Sequence, residues 1–374
     1  MVLLAVIFVL AALRQINLLL VLAGMLLGPL VFHWRLAVLA LRGLKVMRRM
    51  PPRVCAGDLL VVSMELINSR PSLGSWAVLL EDEIRREGRC DEPPVRPRVL
   101  LSYIPAGRSS TAVYGARLPR RGRYRFGPVT LSTGFPFGLL RRTVRLELPE
   151  VLYVFPRLGR LTRRWVLRHR EAFEGLQRRE RRQGQMSGDL FGVRPWRHGD
   201  SRRWIHWRAS ARHGTLVVRQ FERYRTQDVA VLVDLWQPDA PTAEQSDNVE
   251  LAVSFAATLV DDLCRRAGGN LLVGIAGEEL AWAAGPASPM LLEQAMEMLA
   301  VAEPALAVQL PQLVHQALRQ IDPAAQIVLF TTRPAGRDEQ LLPDCSIAGL
   351  PGLPQRARII SVAGQQWAEY FQLE

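Results

Sequence analysis

The sequence predicts three regions in series: an apolar N-terminal helical hairpin, an all-β sandwich of immunoglobulin type, and an α/β domain built on a parallel sheet. Three observations predict it. Residues 2–41 are dominated by apolar runs; residues 58–155 alternate in short stretches split by Gly, Pro and Ser; beyond residue 228, buried-strand and helical patterns take turns. At 374 residues the chain is long enough for two domains with cores of their own. The predicted boundaries are 1–50 for the hairpin and its basic flank, 51–156 for the sandwich, 157–187 for a basic connector and 188–374 for the α/β domain with the segment that leads into it.

Val2–Leu13 is wholly apolar, Arg14-Gln15-Ile16-Asn17 interrupts it, and Leu18–Phe32 is apolar again. Leu36–Leu41 continues the apolar character after His33-Trp34-Arg35. Each run is shorter than the ~20 residues that cross a bilayer upright. A signal peptide would carry a basic start and a small-residue cleavage site before a polar mature end. Here a second apolar run follows instead, which favours two short spans. Arg35, Arg42, Lys45, Arg48, Arg49 and Arg53 come after the hairpin, whereas its tip holds Arg14. The positive-inside rule then leaves the bulk of the chain in the cytoplasm, anchored to the inner (plasma) membrane, with the lipid bilayer as a partner.

Six runs in the next region have strand character: Leu59–Ile67, Trp76–Leu80, Val99–Ile104, Ser110–Leu118, Tyr124–Leu131 and Arg142–Leu146. This region has no paired carboxylates, no nucleophile elbow and no Gly-rich phosphate loop, so it reads as a spacer or a protein-binding face.

The charge is +13, and one window holds all of the excess. Residues 157–225 contain 19 Arg against 6 acids, and the remainder balances. Lys45 is the one lysine of the chain, so Arg enrichment alone says little. The connector reads as a solvated linker, with an anionic membrane surface as second choice and nucleic acid as third. Cys55, Cys90, Cys264 and Cys345 lie far apart, which argues against a zinc site or a disulfide framework and for reduced thiols.

Val229–Asp234 is a buried strand ending in an acid, and Asp247–Arg266 follows with apolar residues three and four apart from Val249 to Leu263. Leu271–Ala276, Gln326–Thr331 and Arg358–Val362 read as further strands, and Met290–Val301 and Leu313–Ile321 as helices. The alternation predicts a doubly wound parallel sheet.

The most unusual stretch lies just ahead of it. Arg194–Arg219 holds three Trp, three His and seven Arg around Gly199-Asp200. Neither a helix nor a strand period explains that mixture. One reading is a domain junction, with Trp204 and Trp207 packed against the sheet and Asp200 paired to Arg203 or Arg208. Another is partner docking, since Trp and Arg dominate interface hot spots. The least favoured is general acid–base work by His206 or His213 with Asp200, for which no nucleophile is placed. The interaction residues singled out are Gly199, Asp200, Arg203, His206, Trp207, Arg208, Ser210 and Arg212.

This stretch also carries a family resemblance. Gly199-Asp200-Ser201, Arg203, Ile205-His206-Trp207-Arg208 and Ser210-Ala211-Arg212 resemble the hallmark of the bacterial domain-of-unknown-function 58 family. Met50-Pro51-Pro52-Arg53-Val54, Ala56-Gly57-Asp58, Arg121-Gly122-Arg123-Tyr124, Phe135-Pro136-Phe137-Gly138-Leu139 and Val154-Phe155-Pro156 extend the likeness over most of residues 1–330. The resemblance implies a membrane-anchored protein with a von Willebrand factor A-like domain and a MoxR-type AAA+ ATPase as partner. Such domains place Asp-x-Ser-x-Ser after the first strand to hold Mg²⁺. This chain reads Asp234-Leu235-Trp236-Gln237-Pro238, so Asp234 is the one matching ligand, and it reads as a cap on the sheet rather than an ion site. No Gly-x-x-x-x-Gly-Lys loop is present, so ATP hydrolysis would be the partner's. The reading is thus a non-enzymatic adaptor or scaffold without cofactor, small-molecule substrate or specific nucleic acid. A membrane-associated hydrolase and an Arg-rich nucleic-acid binder are the alternatives.

Overall fold

A computed structural model describes residues 17–88, 92–167, 189–197, 200, 202–222, 228–266, 269–306, 309–322, 325–333 and 357–373. The chain divides into two compact units, Met1–Arg157 and Leu158–Glu374. The predicted apolar run Val2–Leu13 lies outside the described residues, as does most of the predicted basic connector.

The first unit opens with helix α1 (Asn17–Leu41). Among the described residues it is the one helix long and apolar enough to cross a membrane. It runs unbroken through His33-Trp34-Arg35, where the sequence reading placed an interruption. The reason is that His33 is fully buried, its ring engaged by the backbone of Phe137 and Leu140. Ala37, Ala40 and Leu41 are buried too, whereas Val21, Leu22, Met25, Leu26, Leu27, Val31, Phe32 and Trp34 are exposed. Arg70 closes the helix: its guanidinium donates to the carbonyls of Leu39 and Ala40, a cation at the end where the last carbonyls lack partners.

Among the described residues eleven strands follow: β1 (Leu44–Arg49), β2 (Val54–Cys55), β3 (Leu59–Asn68), β4 (Ser75–Glu81), β5 (Ile84–Arg86), β6 (Arg98–Ile104), β7 (Ser109–Arg117), β8 (Gly122–Phe126), β9 (Val129–Thr133), β10 (Arg142–Leu146) and β11 (Glu150–Phe155). They form three sheets, ordered β1-β3-β7, β10-β9-β4-β6 and β2-β11-β8-β5, around one shared core. Alternation drives it: Leu60, Val62, Met64 and Leu66 of β3 all point inward. The predicted single run Tyr124–Leu131 is two strands in different sheets. Gly127 breaks it with φ of +96°, and a side chain there would meet the Leu148 carbonyl at 2.7 Å. The segment predicted as a basic flank is strand β1, and its Arg48 is buried rather than exposed.

The second unit is centred on a five-stranded sheet, ordered β17 (Leu280–Pro286), β16 (Asn270–Ala276), β15 (Val229–Asp234), β18 (Gln326–Thr331) and β19 (Ala357–Ser361). Four strands are parallel, and β17, unforeseen from sequence, joins the edge antiparallel to β16. Before the sheet come β12 (Gly159–Leu161), β13 (Asp189–Pro195), α2 (Trp207–His213) and β14 (Val217–Glu222). Helices α3 (Ala243–Arg266), α4 (Pro289–Val301) and α5 (Leu310–Gln320) connect the sheet strands, and β20 (Phe371–Leu373) pairs back onto β12. Helix α5 packs Leu310, Leu313, Val314 and Ala317 on one face of the sheet, against Ala230, Leu232, Leu272, Ile327 and Leu329. On the other face Phe255 of α3 meets Phe330 of β18 at 4.6 Å between ring centroids.

Sequence periodicity gave α3 a single apolar face, yet Leu251, Ser254, Phe255, Ala257 and Thr258 are buried as well. A second layer covers them. Phe371 of β20 stacks on Phe255 at 4.6 Å, Trp165 meets it edge-on at 5.5 Å, and Thr258 accepts the backbone N–H of Gly159. Gly159–Leu161 is thus a strand and Trp165 is buried, both within the stretch predicted to be a solvated connector.

Candidate functional site

The collar of Trp, His and Arg is an insertion between two antiparallel strands. β13 leads in, β14 leads out, and they pair from Asp189↔Glu222 to Pro195↔Val217 with a bulge at Leu190/Gly192. Between them sit a 3₁₀ turn (Arg202–Trp204) and α2. Gly199 lies outside the described residues, as does the side chain of Trp204.

Asp200 does not pair with Arg203 or Arg208 as expected. It accepts a two-pronged bond from Arg194, 2.7 Å to each oxygen, and the backbone N–H of Arg197 at 2.8 Å. Those donors, Arg194 foremost, hold the Asp200 carboxyl below the usual carboxylate range. The pairing ties the end of β13 to the turn that follows. Arg194 lies within the collar, but six residues' separation gave the sequence no reason to prefer it over Arg203.

His206 caps α2. Its Nδ1 accepts the Ala209 N–H at 3.1 Å, its carbonyl accepts the Ser210 N–H at 2.9 Å, and its own N–H donates to Val217. With Nδ1 an acceptor, the neutral ring carries its proton on Nε2. Ser210 is buried and stitches helix to strand: its hydroxyl accepts the Val217 N–H at 2.9 Å and donates to the His206 carbonyl at 3.1 Å. Gly214 ends the helix with φ of +67°.

These inner contacts push the rest outward. Trp207 is 68 % exposed, contrary to the expectation that it packs on the sheet. Trp207, Arg208, Ala211 and Arg212 are exposed at one-, three- and four-residue spacings along α2, on one helix face. Arg202 and Arg203 of the preceding turn are exposed as well. Asp200 is the one acid in described residues 192–221, and Arg194 already holds it. The result is a solvated, positive surface centred on an indole.

Asp234 stands elsewhere in this unit, at the C-terminal end of β15. There the chain turns to β16 on one side and to β18 on the other, the position where open α/β sheets form a crevice. The residue is 2 % exposed; its Oδ2 accepts Thr331 Oγ1 and Arg333 Nε, each at 2.9 Å. Burial raises the carboxyl above its ordinary value, with Arg333 and Thr331 opposing that rise. The Arg333 guanidinium lies 5.3 Å over the Trp236 ring. A guanidinium thus fills the charge-balancing role a cation would have. Among the described residues no three His, Cys, Asp or Glu side chains cluster as metal ligands do. The sequence singled out Asp234 but not its partners: Thr331 lies opposite Asp234 on the neighbouring strand β18, and Arg333 follows just beyond that strand.

Residues 192–326, just over a third of the chain, match the model of the family described as "Protein of unknown function DUF58". Over those residues this chain is similar to the DUF58 family. The match takes in the collar, α2 and the sheet as far as the start of β18. "Uncharacterized protein YeaD" of Bacillus subtilis (strain 168) is 27 % identical over 252 residues, 65 % of this chain and 59 % of that protein. The chain therefore spans less than two thirds of that relative's length. Solved structures with likeness include the CARDB domain of a Pyrococcus furiosus protein, 12 % identical with a TM-score of 0.20, covering 28 % of this chain and 93 % of that one. A beta-glucosidase from Listeria innocua is 15 % identical with a TM-score of 0.18, covering 28 % of this chain and 16 % of that one. Scores at that level carry no argument about fold or activity.

Proposed function

We propose that this DUF58-like protein is a non-enzymatic, membrane-anchored adaptor whose collar docks a partner protein. The observation that carries the reading is the exposure of Trp207 amid exposed Arg202, Arg203, Arg208 and Arg212, while the neighbouring acid is spent on Arg194. A large aromatic left in water costs solubility, and Trp and Arg are the residues that most often anchor interfaces. The complementary partner presents an acidic, apolar-centred pocket. The family resemblance makes a MoxR-type AAA+ ATPase the partner of first choice.

In this reading α1, with a second short span from Val2–Leu13, holds an immunoglobulin-like sandwich and a von Willebrand factor A-like domain at the cytoplasmic face of the plasma membrane. Arg35 near the end of α1 and Arg42, Lys45, Arg49 and Arg53 after it are exposed, which supports that orientation. The Asp234–Arg333 pair supports a domain of that type working without a divalent ion.

The hydrolase alternative draws less support. His206 Nδ1 is committed to a backbone N–H and Asp200 to Arg194, so neither orients the other for proton transfer.

The test is affinity capture from membranes of the native host, comparing the full-length protein with a Trp207→Ala, Arg208→Ala variant of unchanged thermal stability. An AAA+ ATPase captured by the parent and lost by the variant is the expected result. Equal capture by both would move the docking face elsewhere, and repeated capture without any AAA+ ATPase would remove the adaptor reading.

A further inference from the structure

The strongest unassigned feature lies in the first unit, beside α1. Residues Gly134–Arg141 form a tight loop between β9 and β10. Several bonds fix its shape. The Gly138 N–H donates to the Gly134 carbonyl at 2.7 Å, the Phe135 N–H to Thr133 Oγ1 at 3.2 Å, and the Arg141 guanidinium to Ser132 Oγ at 2.9 Å. His33 of α1 locks the loop to the helix. Its Nδ1 accepts the Phe137 N–H at 3.3 Å, and its Nε2 lies 2.7 Å from the Leu140 carbonyl oxygen and 3.1 Å from the Leu140 nitrogen. A histidine inside an apolar helix, fully buried and spent on a loop, fixes the height of that loop along the helix.

The loop nonetheless presents Phe137 at 57 % and Leu139 at 61 % exposure. Phe32 and Trp34, which flank His33 in α1, are exposed as well, while Phe137 lies 6.1 Å from the His33 ring and Phe135 5.9 Å from Trp76. Arg35, two residues beyond His33, and Arg141 and Arg142, at the end of the loop, are exposed too. From Asn17 to His33 the helix climbs about 24 Å at ~1.5 Å per residue, most of the ~30 Å hydrocarbon thickness. Phe137 and Leu139 therefore stand at the level where a spanning α1 leaves the bilayer. Aromatic side chains and exposed Arg at that level match the chemistry of a membrane–water interface.

We propose that the Gly134–Arg141 loop is a second membrane contact, inserting Phe137 and Leu139 into the lipid interface with Arg141 and Arg142 toward the headgroup phosphates. It rests on the anchoring reading of α1. Its consequence is that the β-sheet unit is held at a set height and orientation on the bilayer rather than tethered freely.

The test uses full-length protein in nanodiscs of phosphatidylcholine and phosphatidylglycerol, with native cysteines replaced by serine. Single nitroxide labels enter through Phe137→Cys, Leu139→Cys or, on the exposed side of α1, Met25→Cys. Collisions with lipid-soluble oxygen are compared with those of a water-soluble nickel chelate. Oxygen collisions outweighing nickel at 25, and again at 137 or 139, is the expected result. Oxygen dominance at 25 with nickel dominance at 137 and 139 overturns the loop contact and leaves the anchor standing. Nickel dominance at all three overturns both. Labels at 137 and 139 shielded from both reagents would mean a protein covers the loop, which also overturns the proposal.

Discussion

Arg48 and Asp82 form a two-pronged ion pair from which water is excluded. Arg48 Nε and Nη2 reach the two carboxylate oxygens at 2.9 and 2.8 Å, and both side chains are fully buried. The remaining valences are filled: Arg48 Nη1 donates to the Leu148 carbonyl at 3.0 Å, its guanidinium lies 5.4 Å over the Phe126 ring, and Asp82 accepts the Tyr114 hydroxyl at 2.6 Å and the Glu83 N–H at 3.0 Å. Strand β1 supplies the cation, the end of β4 the anion and β7 the phenol, so the cluster ties strands of two sheets.

Removing one partner leaves the other charge buried without compensation. Arg48→Ala is expected to destabilise the first unit by about 3–5 kcal/mol, whereas Arg48→Met with Asp82→Leu recovers most of that loss. Urea unfolding in detergent, followed by the first unit's signal, checks it. A loss below about 1 kcal/mol for the single variant would mean that the pair is hydrated in solution.

Tyr114 extends the same cluster into a pH prediction. Burial, then the Asp82 charge and the hydrogen bond to it, raise the phenol above its ordinary value of 10.0, with Arg48 opposing. The folded state keeps a proton that the unfolded chain releases. The contribution is therefore complete below pH about 10 and declines as pH rises beyond it. Tyr114→Phe is expected to cost about 2 kcal/mol at neutral pH, the worth of a hydrogen bond to a buried charge. It should also flatten the alkaline decline. An unchanged alkaline limb in the variant would place that limb in another group.

How much of this was legible follows from which forces act locally. Five of six strand runs predicted in the first unit match, because period-two burial is written in the sequence, as along β3. Tyr124–Leu131 failed because its alternation continues across Gly127 while the backbone changes sheet. Arg48 was misread for a different reason: a basic residue after an apolar helix looks like a membrane flank until a carboxylate 34 residues away claims it. Trp165 likewise sat in an Arg-rich stretch, and its burial depends on α3 and β20, both distant in sequence. The collar's composition was visible, but its inside-out arrangement was not. Ser210 faces inward because β14 offers the Val217 N–H, the His206 backbone N–H is tied to the Val217 carbonyl, and that leaves Trp207 in solvent.

Asp234 and Arg333 predict how the second unit responds to cations. Since Arg333 already neutralises the carboxylate, millimolar Mg²⁺ is expected to leave the melting temperature unchanged. Asp234→Ala should destabilise by about 3 kcal/mol, the low end for a buried pair because Arg333 keeps a fifth of its side chain in water. Differential scanning calorimetry with and without Mg²⁺ or EDTA decides the first point. A rise in melting temperature with Mg²⁺ would show the ion displacing Arg333 from Asp234.

The cap at His206 separates a structural role from a chemical one. Asparagine at an N-cap also accepts a backbone N–H but has no titrating ring, whereas alanine offers no acceptor. His206→Ala should therefore cost about 1 kcal/mol through loss of the bond from Ala209, and His206→Asn little. If the collar docks a partner through Trp207 and the arginines, His206→Asn retains capture of that partner and cellular function. If His206 moves protons in a reaction, His206→Asn abolishes function at unchanged stability, because an amide cannot exchange a proton near neutral pH. Thermal stability and partner capture measured together on both variants distinguish the cases. A folded, partner-binding His206→Asn protein without function would return the collar to catalysis.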